Sequence, residues 1–205
     1  YWFPYGGGVT TLFAGGITIA YTGSTNSVTP ATTTYFTSRN RINNVSGATA
    51  GSSATGRHNG LIVTRGDAAG IGGFYWTFEG GNADAATVAN GRMFAGLYGT
   101  NSAIGNVATN SLLNMVGFGW DTGDGNIQFY TNDGSGTASK TDLGSTFPAN
   151  TLSVDWYKFE IWCAPNASTI YWKCTRKNTG DVTSGSVSSD LPTNTVYMAP
   201  QVWIN

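Results

Sequence analysis

The stretch that decides the fold class is Met115-Val116-Gly117-Phe118-Gly119-Trp120, then Asp121-Thr122-Gly123-Asp124-Gly125-Asn126, then Ile127-Gln128-Phe129-Tyr130-Thr131. Two short alternating runs flank a loop of Gly, Asp and Asn, the signature of a β-hairpin. Folding the runs together pairs Trp120 with Ile127, Phe118 with Phe129 and Val116 with Thr131. One face is then apolar and turns toward a core. The other carries Gly117 and Gly119 opposite Tyr130 and Gln128. Glycine costs a strand about 0.5–1 kcal/mol relative to alanine. Two on one face therefore mark a place where something comes close to the backbone.

A second hairpin turns around Pro165-Asn166-Ala167-Ser168. Its register sets Phe159, Ile161 and Cys163 on one face with Ile170, Trp172 and Cys174. Glu160 and Lys173 share the other face with Trp162 and Tyr171. Cys163 falls opposite Ile170 and Cys174 opposite Phe159, so the two sulfurs are separated by four residues, roughly 13 Å along the strands. A disulfide needs Cα atoms within about 7 Å, and two free, buried thiols are expected.

Outward from these hairpins, alternating segments bounded by Gly, Asn, Asp and Pro predict strands over 9–13, 17–22, 33–37, 60–65, 73–79, 92–98, 114–120, 126–131, 155–163, 169–176, 183–188 and 195–204. Residues 22–32 and 46–57 read as Ser/Thr/Gly loops. No window carries a sustained 3.6-residue apolar period, so the class is all-β, a two-sheet antiparallel sandwich. Residues 1–34 form an N-terminal β segment or a lead-in, and 35–205 the sandwich. The run Gln201-Val202-Trp203-Ile204-Asn205 reads as a truncated C-terminal strand.

The 205 residues are 40% hydrophobic and 13% aromatic, sufficient for a core without metal or disulfide. Charged residues make up 10% and the net charge is −1, against about 25% charged residues in ordinary domains. That balance argues against a nucleic-acid binder, which shows a basic surface. No run of about 18 apolar residues is present, so no membrane-spanning helix is expected. His58 is the single histidine, which disfavours a zinc site. Asp121 to Asn126 has a superficial likeness to a calcium loop but not the spacing of one, and it reads first as a turn. A glycosidase would need two carboxylates across a cleft. The candidates Glu79, Glu160, Asp121, Asp124, Asp133 and Asp142 lie mostly in turns, so no catalytic residue and no cofactor or metal is assigned.

Several segments taken together resemble a domain of tail-fibre and virion-appendage proteins of tailed bacteriophages. They are Gly72-Gly73-Phe74 with Trp76 and Phe78, Arg92-Met93-Phe94-Ala95-Gly96-Leu97, Val116 to Asp121, Ile127-Gln128-Phe129, and Asn132 to Thr137. Lys140 to Gly144, Phe147-Pro148, Thr179 to Val182, Asp190-Leu191-Pro192 and Ala199-Pro200-Gln201 continue it, over residues 35–205. The resemblance implies a concanavalin-like, lectin-like jelly roll in a homotrimeric appendage of the virion. It implies partners among other virion proteins and a host-surface polysaccharide, and it transfers no site residues.

Sugars bind shallow faces by stacking on aromatic rings and hydrogen bonding to amides and carboxylates. The outer faces of the two hairpins offer that chemistry, and the candidate ligand-binding residues are Gln128, Tyr130, Trp162, Tyr171, Asp121 and Asp124. The expected function is host-surface attachment by a non-enzymatic receptor-binding domain. The alternatives are a structural capsid decoration or head-fibre part, in which the same faces are subunit contacts, and a polysaccharide depolymerase.

Overall fold

Both hairpins form with the register that alternation dictates. In a computed structural model of the chain, Val116 pairs with Thr131, Gly117 with Tyr130, Phe118 with Phe129 and Gly119 with Gln128. Phe159 pairs with Cys174, Glu160 with Lys173, Ile161 with Trp172 and Trp162 with Tyr171. Both cysteines are free and buried. The structure describes residues 11–14, 17–84, 88–151 and 153–205. Residues 9 and 10 of the expected first strand, and the opening Tyr1-Trp2-Phe3, lie outside them.

The strands in chain order are β1 (Thr11–Ala14), β2 (Ile17–Thr22), β3 (Ser24–Val28), β4 (Arg41–Val45), β5 (Ala54–His58), β6 (Phe74–Gly80) and β7 (Met93–Tyr98). They continue as β8 (Met115–Trp120), β9 (Gln128–Asn132), β10 (Ser139–Asp142), β11 (Tyr157–Cys163), β12 (Ile170–Arg176), β13 (Asp181–Val187) and β14 (Ala199–Ile204). A sheet of eight strands runs β1-β2-β5-β14-β7-β8-β9-β10, a sheet of four runs β13-β12-β11-β6, and β3 pairs with β4. Every pairing among these strands is antiparallel.

The core lies between the eight- and four-stranded sheets. The larger sheet contributes Met93, Ala95, Leu97, Val116, Phe118, Trp120 and Phe129, and the smaller one Tyr157, Phe159, Ile161, Ile170, Trp172 and Cys174. Phe118 stacks on Phe159 at 4.5 Å between ring centroids and Phe129 stacks on Trp172 at 5.2 Å, so two aromatic pairs rivet the layers. The alternation of β11 follows directly: Tyr157, Phe159, Ile161 and Cys163 are buried, whereas Lys158, Glu160 and Trp162 face away.

The larger sheet has a second apolar face. Phe94, Met115, Tyr130 and Trp203 pack there against Ile104, Leu112 and Ala138. The segment joining β7 to β8 crosses over this face, held by a short 3₁₀ turn at Thr109–Ser111. Thr109 donates to the Trp120 carbonyl at 2.9 Å, and the Asn132 amide donates to the Leu112 carbonyl at 2.8 Å.

Four strands depart from the sequence reading. β3 and β5 occupy stretches expected to be loops, and β4 and β10 were not expected at all. Their cores are polar: β3 reads Ser-Thr-Asn-Ser-Val and β10 reads Ser-Lys-Thr-Asp, exposed throughout. Backbone pairing to a neighbour, rather than an apolar face, holds them. Residues 33–37, expected to be a strand, form a bend and turn that buries Phe36 edge-on against Trp156 at 5.3 Å. Of the strand expected over 60–65, one bridge remains, Val63 to Met198.

Candidate functional site

Among the described residues, the outer face of the four-stranded sheet is an open surface that carries chemistry. Register builds it in cross-strand rows. Tyr75 pairs with Trp162, Trp162 with Tyr171, and Tyr171 with Ser186. The next row runs Thr77, Glu160, Lys173, Ser184, and the one after it Glu79, Lys158, Thr175, Val182. Side chains directly opposite across an antiparallel pair lie about 5 Å apart, so the first row sets three aromatic side chains in line, an aromatic ribbon. Trp162 and Tyr171 stack at 5.8 Å with 12° between their planes. Tyr75 is 62% exposed and Tyr171 44%. Phe74, Tyr75, Glu160, Trp162, Cys163, Ala164 and Lys173 line a shallow depression of ≈ 470 Å³ at one end of the ribbon.

Glu160 sits at the edge of the ribbon. Lys158 donates to it at 2.9 Å and the Tyr75 hydroxyl donates to the same oxygen. Burial pushes the Glu160 carboxyl up, but those two hydrogen bonds and the charges of Lys158 and Lys173 outweigh it and hold it below the usual glutamate range. The hydrogen bond to Glu160, with burial, raises the Tyr75 phenol, which stays a protonated donor. Glu160 raises the Lys158 ammonium in turn, chiefly through their hydrogen bond. A carboxyl held low is the opposite of the general acid that glycoside hydrolysis needs.

The six candidate residues separate into two groups. Trp162 and Tyr171 lie together on the open face as expected. The other four do not lie on an open surface, which corrects the expectation of a ligand face around Gly117 and Gly119. Tyr130 is fully buried, and Gln128 and Asp121 are buried beside it. The physical reason is the β7–β8 segment, which covers this side of the sheet. What approaches the backbone at Gly117 is the Phe94 ring: a methyl added there would meet its Cε2 at 2.5 Å and the Ala95 carbonyl oxygen at 2.7 Å.

Several polar groups of this buried side are engaged with one another. The Tyr130 hydroxyl donates to Asp124 at 2.8 Å, and burial first, then Asp124, drives its pKa far up. Lys140 pairs with Asp124 at 2.6 Å, and Arg92 with Asp121 at 3.1 Å. The Gln128 amide donates to the Asn126 carbonyl. Asp121 and Asp124 are thus braces of the β8–β9 loop. The residue that sequence reading missed is Tyr75. It falls in an expected strand, but β6 meets β11 across about eighty intervening residues, and no local turn sets that register.

A second depression, ≈ 410 Å³, lies among residues 46–52, Val88, Ala89, Asn90, Arg92, Asn106 and Asn205. Its side chains are already engaged: Arg92 with Asp121, Asn106 and Asn205, and Asn205 with the carbonyls of Gly51 and Ser52. The aromatic face therefore stands as the candidate site.

Two antiparallel sheets packed through an aromatic core, with one sheet larger, define the concanavalin-like jelly-roll class. Solved lectin structures share it. The chain is similar to peanut lectin, crystallised with a nine-residue peptide, at a TM-score of 0.54 and 14% identity, covering 96% of this chain and 86% of that one. Lectin II from Ulex europaeus is similar at 0.54 and 12% identity, covering 91% and 83%. The same lectin complexed with galactose gives 0.52 and 12%, covering 91% and 84%. No protein-family model matches the sequence, and no curated protein matches it.

Proposed function

We propose that this chain is a non-enzymatic carbohydrate-binding domain whose platform is the ribbon Tyr75, Trp162 and Tyr171. The observation that carries the reading is the cross-strand row of three partly exposed aromatic side chains on a sheet face that otherwise carries hydroxyl and charged side chains. Pyranose rings present flat C–H faces that stack on such rings, while Thr77, Ser184 and Ser186 offer hydroxyls alongside. The lectin-like fold is compatible with this use. The phage-appendage resemblance gives the reading its setting: a homotrimeric bacteriophage tail fibre or related virion part, attaching to a host-surface polysaccharide. Assembly with other virion proteins follows from that setting.

The test is binding of the purified domain to candidate host cells and to a glycan array, for the natural protein and Trp162→Ala. Saturable binding that Trp162→Ala removes, with thermal unfolding and sedimentation unchanged, is the expected outcome. A Trp162→Ala protein that binds equally well refutes the platform. If the substitution instead separates subunits, the face is a subunit contact, as the structural-decoration reading requires.

A further inference from the structure

Resting on the carbohydrate reading just given, we infer that the glycan taken by this face is acidic, with a sugar carboxylate pairing to Lys173. Two of the four lysines in the chain stand on this one face, in a protein with few charges of any kind. They are not equivalent. Lys158 is closed onto Glu160 in an ion pair of 2.9 Å. Glu160 is further occupied by the Tyr75 hydroxyl. Lys173 lies across the strand pair from Glu160 and its charge acts on that carboxyl. Yet among the described residues it makes no hydrogen bond and no ion pair, and it lines the depression beside Trp162.

Two lysines and two glutamates thus share the face, and Lys173 is the charge among them that no hydrogen bond or ion pair engages among the described residues. Glu79 is the other carboxylate on the face. It lies directly across the strand pair from Lys158, on whose ammonium its charge also acts. It also accepts from the Trp156 indole at 3.3 Å. Tyr171 and Lys173 are two residues apart on one strand and point the same way, about 7 Å along it. A pyranose stacked on the ribbon can thus direct an equatorial C6 carboxylate at the ammonium. Neutral sugars would leave that donor to water.

The experiment is calorimetric titration with hexuronate oligosaccharides (galacturonate, mannuronate, guluronate and glucuronate series), each beside its carboxyl-reduced, neutral form. The proteins are the natural chain, Lys173→Gln, Lys173→Arg and Trp162→Ala. At least one acidic series binds, and its reduced form binds about tenfold or more weakly, the scale of one charge-assisted hydrogen bond. Lys173→Gln lowers the acidic ligand to the level of the neutral one, Lys173→Arg retains the preference, and raising salt weakens the acid only. Neutral forms binding as well as acids, or Lys173→Gln leaving the preference intact, overturns the charge inference while Trp162→Ala still reports on the platform. No binding of any sugar by the folded protein overturns both.

Discussion

Replacing Gly119 by alanine tests how closely the β7 backbone approaches β8 in the middle of the larger sheet. A methyl at this position collides with the Met93 carbonyl oxygen of β7, lies 2.9 Å from its carbonyl carbon and 3.2 Å from the Phe94 Cα. These are backbone atoms of a paired strand in the middle of an eight-stranded sheet, not the end of a flexible side chain. Overfilling a packed site costs about 1–3 kcal/mol, and a site bounded by backbone belongs at the top of that range. Against it, losing a glycine gains about 0.4–1 kcal/mol through the unfolded chain. The net is a destabilisation of about 2 kcal/mol. Gly125→Ala is the matched control, since nothing lies within 4 Å of an added methyl there and its backbone is not left-handed. It should be neutral or stabilising by up to about 1 kcal/mol. Urea unfolding followed by tryptophan fluorescence reads both. With a urea slope of about 2.5 kcal/mol per molar, Gly119→Ala moves its midpoint down by roughly 0.8 M. A Gly119→Ala midpoint at or above the natural protein's would contradict the close approach of the β7 backbone to β8 at this position.

Phe118→Ala should destabilise by about 4–5 kcal/mol by the same assay, because the fully buried ring meets Phe159, Phe129 and Trp172 at 4.5, 5.1 and 6.0 Å; a loss under about 2 kcal/mol would contradict its place between the sheets. Tyr130→Phe removes the hydroxyl that donates to Asp124 and should cost about 1–3 kcal/mol with no change in glycan affinity, checked by unfolding and titration together. The depressed Glu160 carboxyl contributes stability that is fully present above the unfolded glutamate value of about 4.3 and is lost as pH falls through its lower folded value. The natural protein should therefore melt above Glu160→Gln at pH 7, with the gap closing in acid; a gap that widens in acid would reverse the sign of the argument.

What was legible in the sequence had local grammar. The β8–β9 and β11–β12 hairpins each join neighbouring runs across a short turn, and large apolar side chains at every second position fix their register. The free cysteines followed from that register alone. Trp162 and Tyr171 were legible as surface residues for the same reason: they fall out of phase with the buried Ile161 and Trp172. Tyr75 joins them only through β6–β11 pairing, which no turn announces. Tyr130 shows the limit from the other side. Parity placed it correctly away from the Phe118 face, but parity does not say whether a second layer covers that side. Ile104 and Leu112, isolated in a Gly/Asn/Ser segment, were the signal of that layer. The polar strands β3, β4, β5 and β10 left no apolar pattern to read.

The position of β14 between β5 and β7 has a kinetic consequence. β14 completes hydrogen bonding for both neighbours, yet it lies roughly 145 residues after β5 and 105 after β7 in the chain. Closing such long loops slows folding. Until β14 docks, β5 and β7 both present unpaired edges, which are templates for pairing with other chains. Newly made protein is thus at its most aggregation-prone in the interval before this strand arrives. A circular permutant that joins the ends of this sequence and opens it between β13 and β14 would put β14 about fifty residues before β5 instead of roughly 145 after it, which should shorten that interval and raise soluble yield.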